Sequence, residues 1–68
     1  MIDSKVKELI AIGTAVGVHC EPCLEYHIQK ARTMDISEDE IVEAIRIGKQ
    51  VERGAISNMQ KKIDTLTN

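Results

Sequence analysis

Large aromatic residues are nearly missing from this chain: there is no Phe, no Trp, and Tyr26 is the single ring of that kind. Rings normally carry much of the burial in a small core, so aliphatic side chains must do so here. Cysteine is confined to Cys20 and Cys23, and any redox or metal–thiolate chemistry must therefore happen in that one segment. Positive charge is also in short supply. The net charge is −2 with a pI of about 5.6, and the lysines and arginines are scattered instead of striped, which leaves no basic field for a phosphate backbone and argues against nucleic acid as a partner. Long apolar runs are absent as well. The longest stretch free of both charged residues and histidine, Leu9 to Val18, has ten residues, against the about 20 that a membrane span needs. No signal-peptide pattern precedes it, so a soluble, cytoplasmic protein with no membrane partner is expected.

What is present has to fold with little material. A chain of 68 residues reads as one domain, and at this size folding buries only about 60% of the surface exposed by the unfolded chain. A disulfide between Cys20 and Cys23 closes too short a loop to restrain the unfolded state strongly. Association with further copies is the expected source of the missing burial.

The pattern predicts an all-α protein of three to four helices. Val6, Leu9, Ile10, Gly13 and Val16 recur at helical spacing, which predicts a first helix from about Ser4 to Val18. Gly17 and the segment Cys20-Glu21-Pro22-Cys23 break it. Pro22 suits the first turn of a new helix, where its missing N–H costs nothing, and predicts a second helix over Glu21 to Thr33 with Cys20 at or beside its N-cap. Ser37-x-x-Glu40 is a capping-box pattern ahead of Ile41, Ala44, Ile45 and Gly48, and marks a third helix start. Its end is ambiguous. Ala55, Met59 and Ile63 continue the same stripe if the helix is unbroken, whereas Arg53-Gly54 permits a break. An unbroken helix of about thirty residues would be about 40 Å long, which requires either a kink or packing on other subunits.

The first helix also carries a second uncharged line, Ala11, Ile12 and Ala15, along which Glu8 and His19 fall. A carboxylate on that line faces packed protein, and desolvation there is expected to raise the Glu8 pKa toward neutrality, which suits proton exchange. The competing reading has Glu8 at the helix start, favouring the dipole and pointing to water.

The CxxC itself supports several readings. Over the first turn of a helix the two sulfurs are close enough to bridge, and backbone N–H groups and the helix dipole stabilise thiolate at Cys20. On that placement Cys20 is expected to be the more exposed sulfur and the one a partner thiol attacks. Cys23 and His27 are at i and i+4, so the imidazole shares a face with that thiol and is placed to exchange its proton. His19-Cys20-x-x-Cys23-x3-His27 also offers four zinc-type donors within nine residues. Structural zinc sites instead tend to tie two separated pairs together, which a cluster around one helix start does not do. Two reduced, buried cysteines, with His27 as a hydrogen-bonded core histidine, make the plainest alternative. A c-type haem site is excluded, because Leu24 stands where the histidine would have to follow Cys23.

Glu8, Cys20, Cys23 and His27 together resemble the E-x11-C-x2-C-x3-H motif of the AhpD-like alkylhydroperoxidases, within the carboxymuconolactone decarboxylase superfamily. The likeness extends over the helix before the motif and over Ser37 to Ile45. The resemblance implies an all-α, AhpD-like core assembled into homo-oligomers, a trimer or hexamer, through its long helices. It also implies a redox pair, Cys20 and Cys23, with His27 and Glu8 as a proton relay, Cys23 as the peroxide-reactive thiol and Cys20 as its resolving partner. The chain lacks the additional helices that flank the core in larger members. The superfamily contains lactone decarboxylases without a CxxC, and the CxxC here favours thiol chemistry over theirs.

The expected activity is thus that of a thiol–disulfide oxidoreductase reducing hydroperoxides or disulfides, with no bound cofactor. No nucleotide-binding glycine loop is present, so electrons must come from an external dithiol or a thioredoxin-like donor. The rival from another class is a noncatalytic module that holds zinc in the H-C-x2-C-x3-H cluster or serves only for oligomerisation.

Overall fold

Asp3 opens the first helix by accepting a hydrogen bond from the Val6 N–H at 2.9 Å, which satisfies one of the amide donors a helix start leaves unpaired. The computed structural model describes all 68 residues and contains three helices and no strand: α1 (Ser4–Gly17), α2 (Glu21–Thr33) and α3 (Glu38–Thr67). The all-α expectation holds. The helix starts and both interior breaks fall within a residue of where composition and spacing place them.

Both joints are built the same way. At the end of α1, His19 N–H bonds to the Val16 carbonyl at 3.2 Å and Cys20 N–H to the Ala15 carbonyl at 2.9 Å. At the end of α2, Asp35 N–H bonds to Arg32 at 3.2 Å and Ile36 N–H to Ala31 at 3.1 Å. This is the paired closure of a Schellman motif, in which the residue after the cap takes a left-handed conformation. That residue is usually glycine, yet here it is His19 at φ 60° and Asp35 at φ 59°. Short polar and imidazole side chains tolerate this region better than branched ones. At the second joint the motif also delivers Ile36, 5% exposed, onto Ala31, as its apolar contact requires.

The capping box at α3 forms as predicted, with Glu40 N–H on Ser37 Oγ at 3.2 Å and Ser37 N–H on Glu40 Oε1 at 3.4 Å. From there α3 runs 30 residues without a break. Gly54 does not interrupt it, because a single glycine in a helix interior costs only about 1 kcal/mol relative to alanine and the hydrogen-bond ladder continues through it. The molecule measures 51 × 24 × 22 Å, elongated along α3.

The core lies where the first half of α3 meets α1 and α2. Ile12, Ala31, Ile36, Ile41 and Ala44 are buried together, with Leu9, Leu24, Ile28, Met34 and Ile45 around them. On α1 the line containing Glu8, Ile12 and Ala15 is the buried one. Val6 and Ile10, assigned to the main stripe by periodicity, are exposed. The reason is that α1 packs on two neighbours at once, and the line between them is covered from both sides. α1 crosses α3 where Gly13 meets Gly48: a Cβ added at Gly48 would lie 2.5 Å from the Gly13 carbonyl oxygen and 2.9 Å from Val16 Cβ. Beyond Gly48 no residue of α3 is buried, and Val51, Ile56, Met59, Ile63 and Leu66 stand uncovered.

Candidate redox site

One residue closes two helices at the first joint. The Cys20 N–H ends α1 on Ala15, while the Cys20 carbonyl receives Leu24 N–H at 3.0 Å and begins α2. Cys20 is the N-cap, and its Sγ accepts the Cys23 N–H at 3.3 Å, the sulfur taking the place of the usual cap oxygen. Pro22 occupies the first turn, as its ring geometry favours. A Cα–Cα distance of 5.2 Å brings Cys20 and Cys23 into disulfide range, and the two are joined as a disulfide.

The relative exposure of the two cysteines reverses the sequence expectation. Cys23 is exposed and Cys20 half-buried. Cys20 is drawn inward by serving both helices, whereas Cys23 sits on the outer face of the first turn. Cys23 lines a hollow of about 300 Å³ together with His27, Lys7, Thr14 and apolar side chains of α1.

His27, one turn beyond Cys23, directs its Nδ1 to Glu8 Oε1 at 2.8 Å across the α1–α2 interface. Glu8 is buried, its side chain only 9% exposed, so the reading that pointed it to water does not hold. The expected rise in its pKa does not hold either. The His27 hydrogen bond pulls the Glu8 carboxyl below its ordinary value, outweighing desolvation, which pushes the other way, and Lys30 Nζ at 3.5 Å from Oε2 assists. Burial alone predicted the wrong sign because two donors arrive from α2. Glu8 is consequently an anion at neutral pH. It anchors the imidazole at Nδ1 and leaves Nε2 uncommitted, on a residue that lines the same hollow as Cys23.

Lys30 carries no distinguishing signal in the sequence, although it follows His27 by three positions and so shares its helix face. Lys7, on the rim of the hollow, likewise carried no signal, since an exposed lysine near a helix start looks like any solvated charge.

His19 does not continue the Glu8 line. The left-handed turn rotates it out of α1, and its imidazole pairs with Glu52 on α3. The two histidines are thus drawn to different carboxylates, and the four donors of the H-C-x2-C-x3-H cluster do not converge. No group of three or more His, Cys, Asp or Glu side chains is arranged to hold a metal ion.

Residues 1–57 match the carboxymuconolactone decarboxylase family. The chain belongs to that family. The matched region includes α1, α2 and the part of α3 up to Ser57, and with them Glu8, Cys20, Cys23, His27 and Glu52; the exposed end of α3 lies beyond it. The chain is also 33% identical over 54 residues to "Uncharacterized protein 4 in cox locus" of Paracoccus denitrificans, an alignment covering 79% of this chain and 49% of the relative. This family member therefore spans about half the length of that relative. No solved structure matches this chain. None of its helices is long and apolar enough to cross a membrane.

Proposed function

We propose that this family member is a thiol–disulfide oxidoreductase in which Cys20 and Cys23 cycle between dithiol and disulfide, as one domain over residues 1–68 acting in the cytoplasm. The observation that carries the reading is the pairing of buried Glu8 with His27, which fixes an imidazole on the hollow that Cys23 also lines. A family match by itself does not choose between thiol chemistry and decarboxylation. The cysteine pair at disulfide distance, backed by an oriented general acid–base, favours the former.

In the peroxidase cycle His27 Nε2 takes the Cys23 proton, and the thiolate attacks the distal oxygen of a hydroperoxide. The O–O bond breaks, the alkoxide leaves with the proton returned by His27, and Cys23 becomes a sulfenic acid. Cys20 then attacks the Cys23 sulfur and expels water, giving the disulfide. An external dithiol or thioredoxin-like donor supplies the two electrons that restore the pair. In the reductase cycle the same dithiol attacks a substrate disulfide, passes through a mixed disulfide and releases the substrate as two thiols. Exposure favours Cys23 as the first sulfur in either cycle, and Cys20, held at the cap, as the one that resolves. No cofactor takes part in either scheme.

The assembly proposed is a homo-oligomer, a trimer or hexamer, with the bare stripe on α3 as its contact surface. Thiol consumption by purified, reduced protein, offered a hydroperoxide and a protein disulfide in separate reactions, tests the function. Metal content measured on the same sample tests the zinc alternative. Consumption of neither substrate, or stoichiometric zinc that survives dialysis and blocks alkylation, would overturn the oxidoreductase reading.

A further inference from the structure

Cys20 is the resolving sulfur of the proposed chemistry, and the residue before it is the only non-glycine in the first joint with a left-handed backbone. Glycine would fit that position without conflict. The side chain found there instead, His19, reaches across to Glu52, thirty-three positions away on α3. This is the one side-chain polar contact between the α1–α2 joint and α3; the other interhelical pairs join Glu8 to His27 and Lys30, and Arg32 to Glu38. The clasp therefore ties the residue preceding the CxxC to a different helix from the one that anchors His27. Each end of the CxxC turn is held by its own carboxylate–imidazole pair: Cys20 from α3 through His19, and the Cys23 side from α1 through His27.

We propose that His19 is a positioning residue for the redox pair, and that His19 and Glu52 act as a unit to hold Cys20 at the helix cap. The inference rests on the oxidoreductase reading above. Cys20 Sγ accepts the Cys23 N–H only while the joint keeps its shape. That hydrogen bond and the helix N-terminus favour thiolate at Cys20 in the reduced protein. The reduced form is stabilised as a result, and the disulfide is made easier to reduce. Freeing the joint from α3 loosens Cys20 Sγ from the Cys23 N–H while the backbone bonds to Ala15 and Leu24 remain, so less thiolate is stabilised at the cap and the disulfide becomes harder to reduce.

The test is the reduction potential of the Cys20–Cys23 pair, measured against dithiol buffers, together with the pH profile of Cys20 alkylation. His19→Gly is the informative variant, because it removes the imidazole while suiting the left-handed backbone, and so separates positioning from folding. Its melting temperature should stay close to wild type, because glycine relieves the left-handed backbone while the clasp to α3 is lost. Its dithiol–disulfide equilibrium should shift toward the disulfide by about tenfold, ~30 mV for a two-electron couple, with alkylation of Cys20 moved to higher pH. Glu52→Ala should give the same shift, and the double variant no more than either single one. A folded His19→Gly protein with wild-type potential and alkylation profile would overturn the proposal, as would single shifts that simply add in the double variant. If His19→Gly fails to fold, Glu52→Ala carries the same expectation and the same refutation. A wild-type disulfide that no dithiol reduces would overturn the oxidoreductase reading itself, a result distinct from a cycling wild type with unaltered variants.

Discussion

Replacing Gly48 with alanine should weaken the protein at the crossing on which the whole arrangement of α1 depends. The new methyl would lie 2.5 Å from the Gly13 carbonyl oxygen, whereas ordinary contact begins at 3.4 Å, so the two helix backbones must part by roughly 1 Å. Neither side can yield by a rotamer change, since one obstacle is backbone and the other, Val16 at 2.9 Å, is the first carbon of its side chain. Overpacking of this kind costs about 3 kcal/mol at the upper end of its usual range. Alanine recovers about 1 kcal/mol through its better helix propensity. The net loss of ~2 kcal/mol corresponds to a fall in Tm of roughly 8 to 16 °C for a chain of this size. Gly54→Ala is the matched control. Nothing lies within 4 Å of the added carbon, so only the propensity gain remains, and Tm should rise by about 4 to 8 °C. Thermal unfolding followed by far-UV circular dichroism, at one protein concentration so that association is held constant, reads both changes. A Gly48→Ala protein at least as stable as wild type, or two variants that shift in the same direction, would refute the close-approach argument.

Glu8→Gln keeps the shape of the side chain but removes the anion that anchors the His27 imidazole at Nδ1, so Cys23 alkylation should move to higher pH and turnover should drop; wild-type rates with an unshifted profile would reduce Glu8 to a packing residue. His27→Ala should slow thiol turnover by about 10² to 10⁴-fold in a protein that still folds, and unchanged turnover would remove His27 from the chemistry. Because the folded-state pKa of Glu8 is depressed below its ordinary 4.5, its contribution to stability is present above that value and is lost as pH falls through the folded pKa. Acid unfolding should accordingly be shallower below about pH 4.5 in Glu8→Gln than in wild type, and parallel curves would show that the pair contributes nothing. Light scattering should give a mass several times that of the 7.6 kDa chain, and a stable monomer at micromolar concentration would contradict the proposed assembly.

Periodicity and cap chemistry made most of the fold legible in advance, since both are local. Ser37 and Glu40 can satisfy each other's amides only at a helix start, and Pro22 is comfortable only in a first turn. The continuity of α3 through Gly54 is not decided by the sequence, because the apolar phase argues one way and the glycine the other. The buried face of α1 is ambiguous in the sequence for a related reason. Val6 and Ile10 fit an apolar stripe as well as Ile12 and Ala15 do, and only the placement of α2 on one side and α3 on the other decides which line is covered.

The same division runs through the candidate site. Sequence alone set which residues could take part: two cysteines, an imidazole one turn later, and a carboxylate on an uncharged line of α1, all linked by spacings along single helices. Tertiary structure decided their states. Glu8 is anionic and not proton-poised, because donors from α2 converge on it, and charge placed by another helix is invisible to burial judged from one. Cys20 is the more sheltered sulfur because it closes one helix while opening the next, and His19 belongs to α3 rather than to α1 because a left-handed turn redirects it toward Glu52. Spacing determines what a single helix can present; which side chain meets which charge is fixed only when the helices pack.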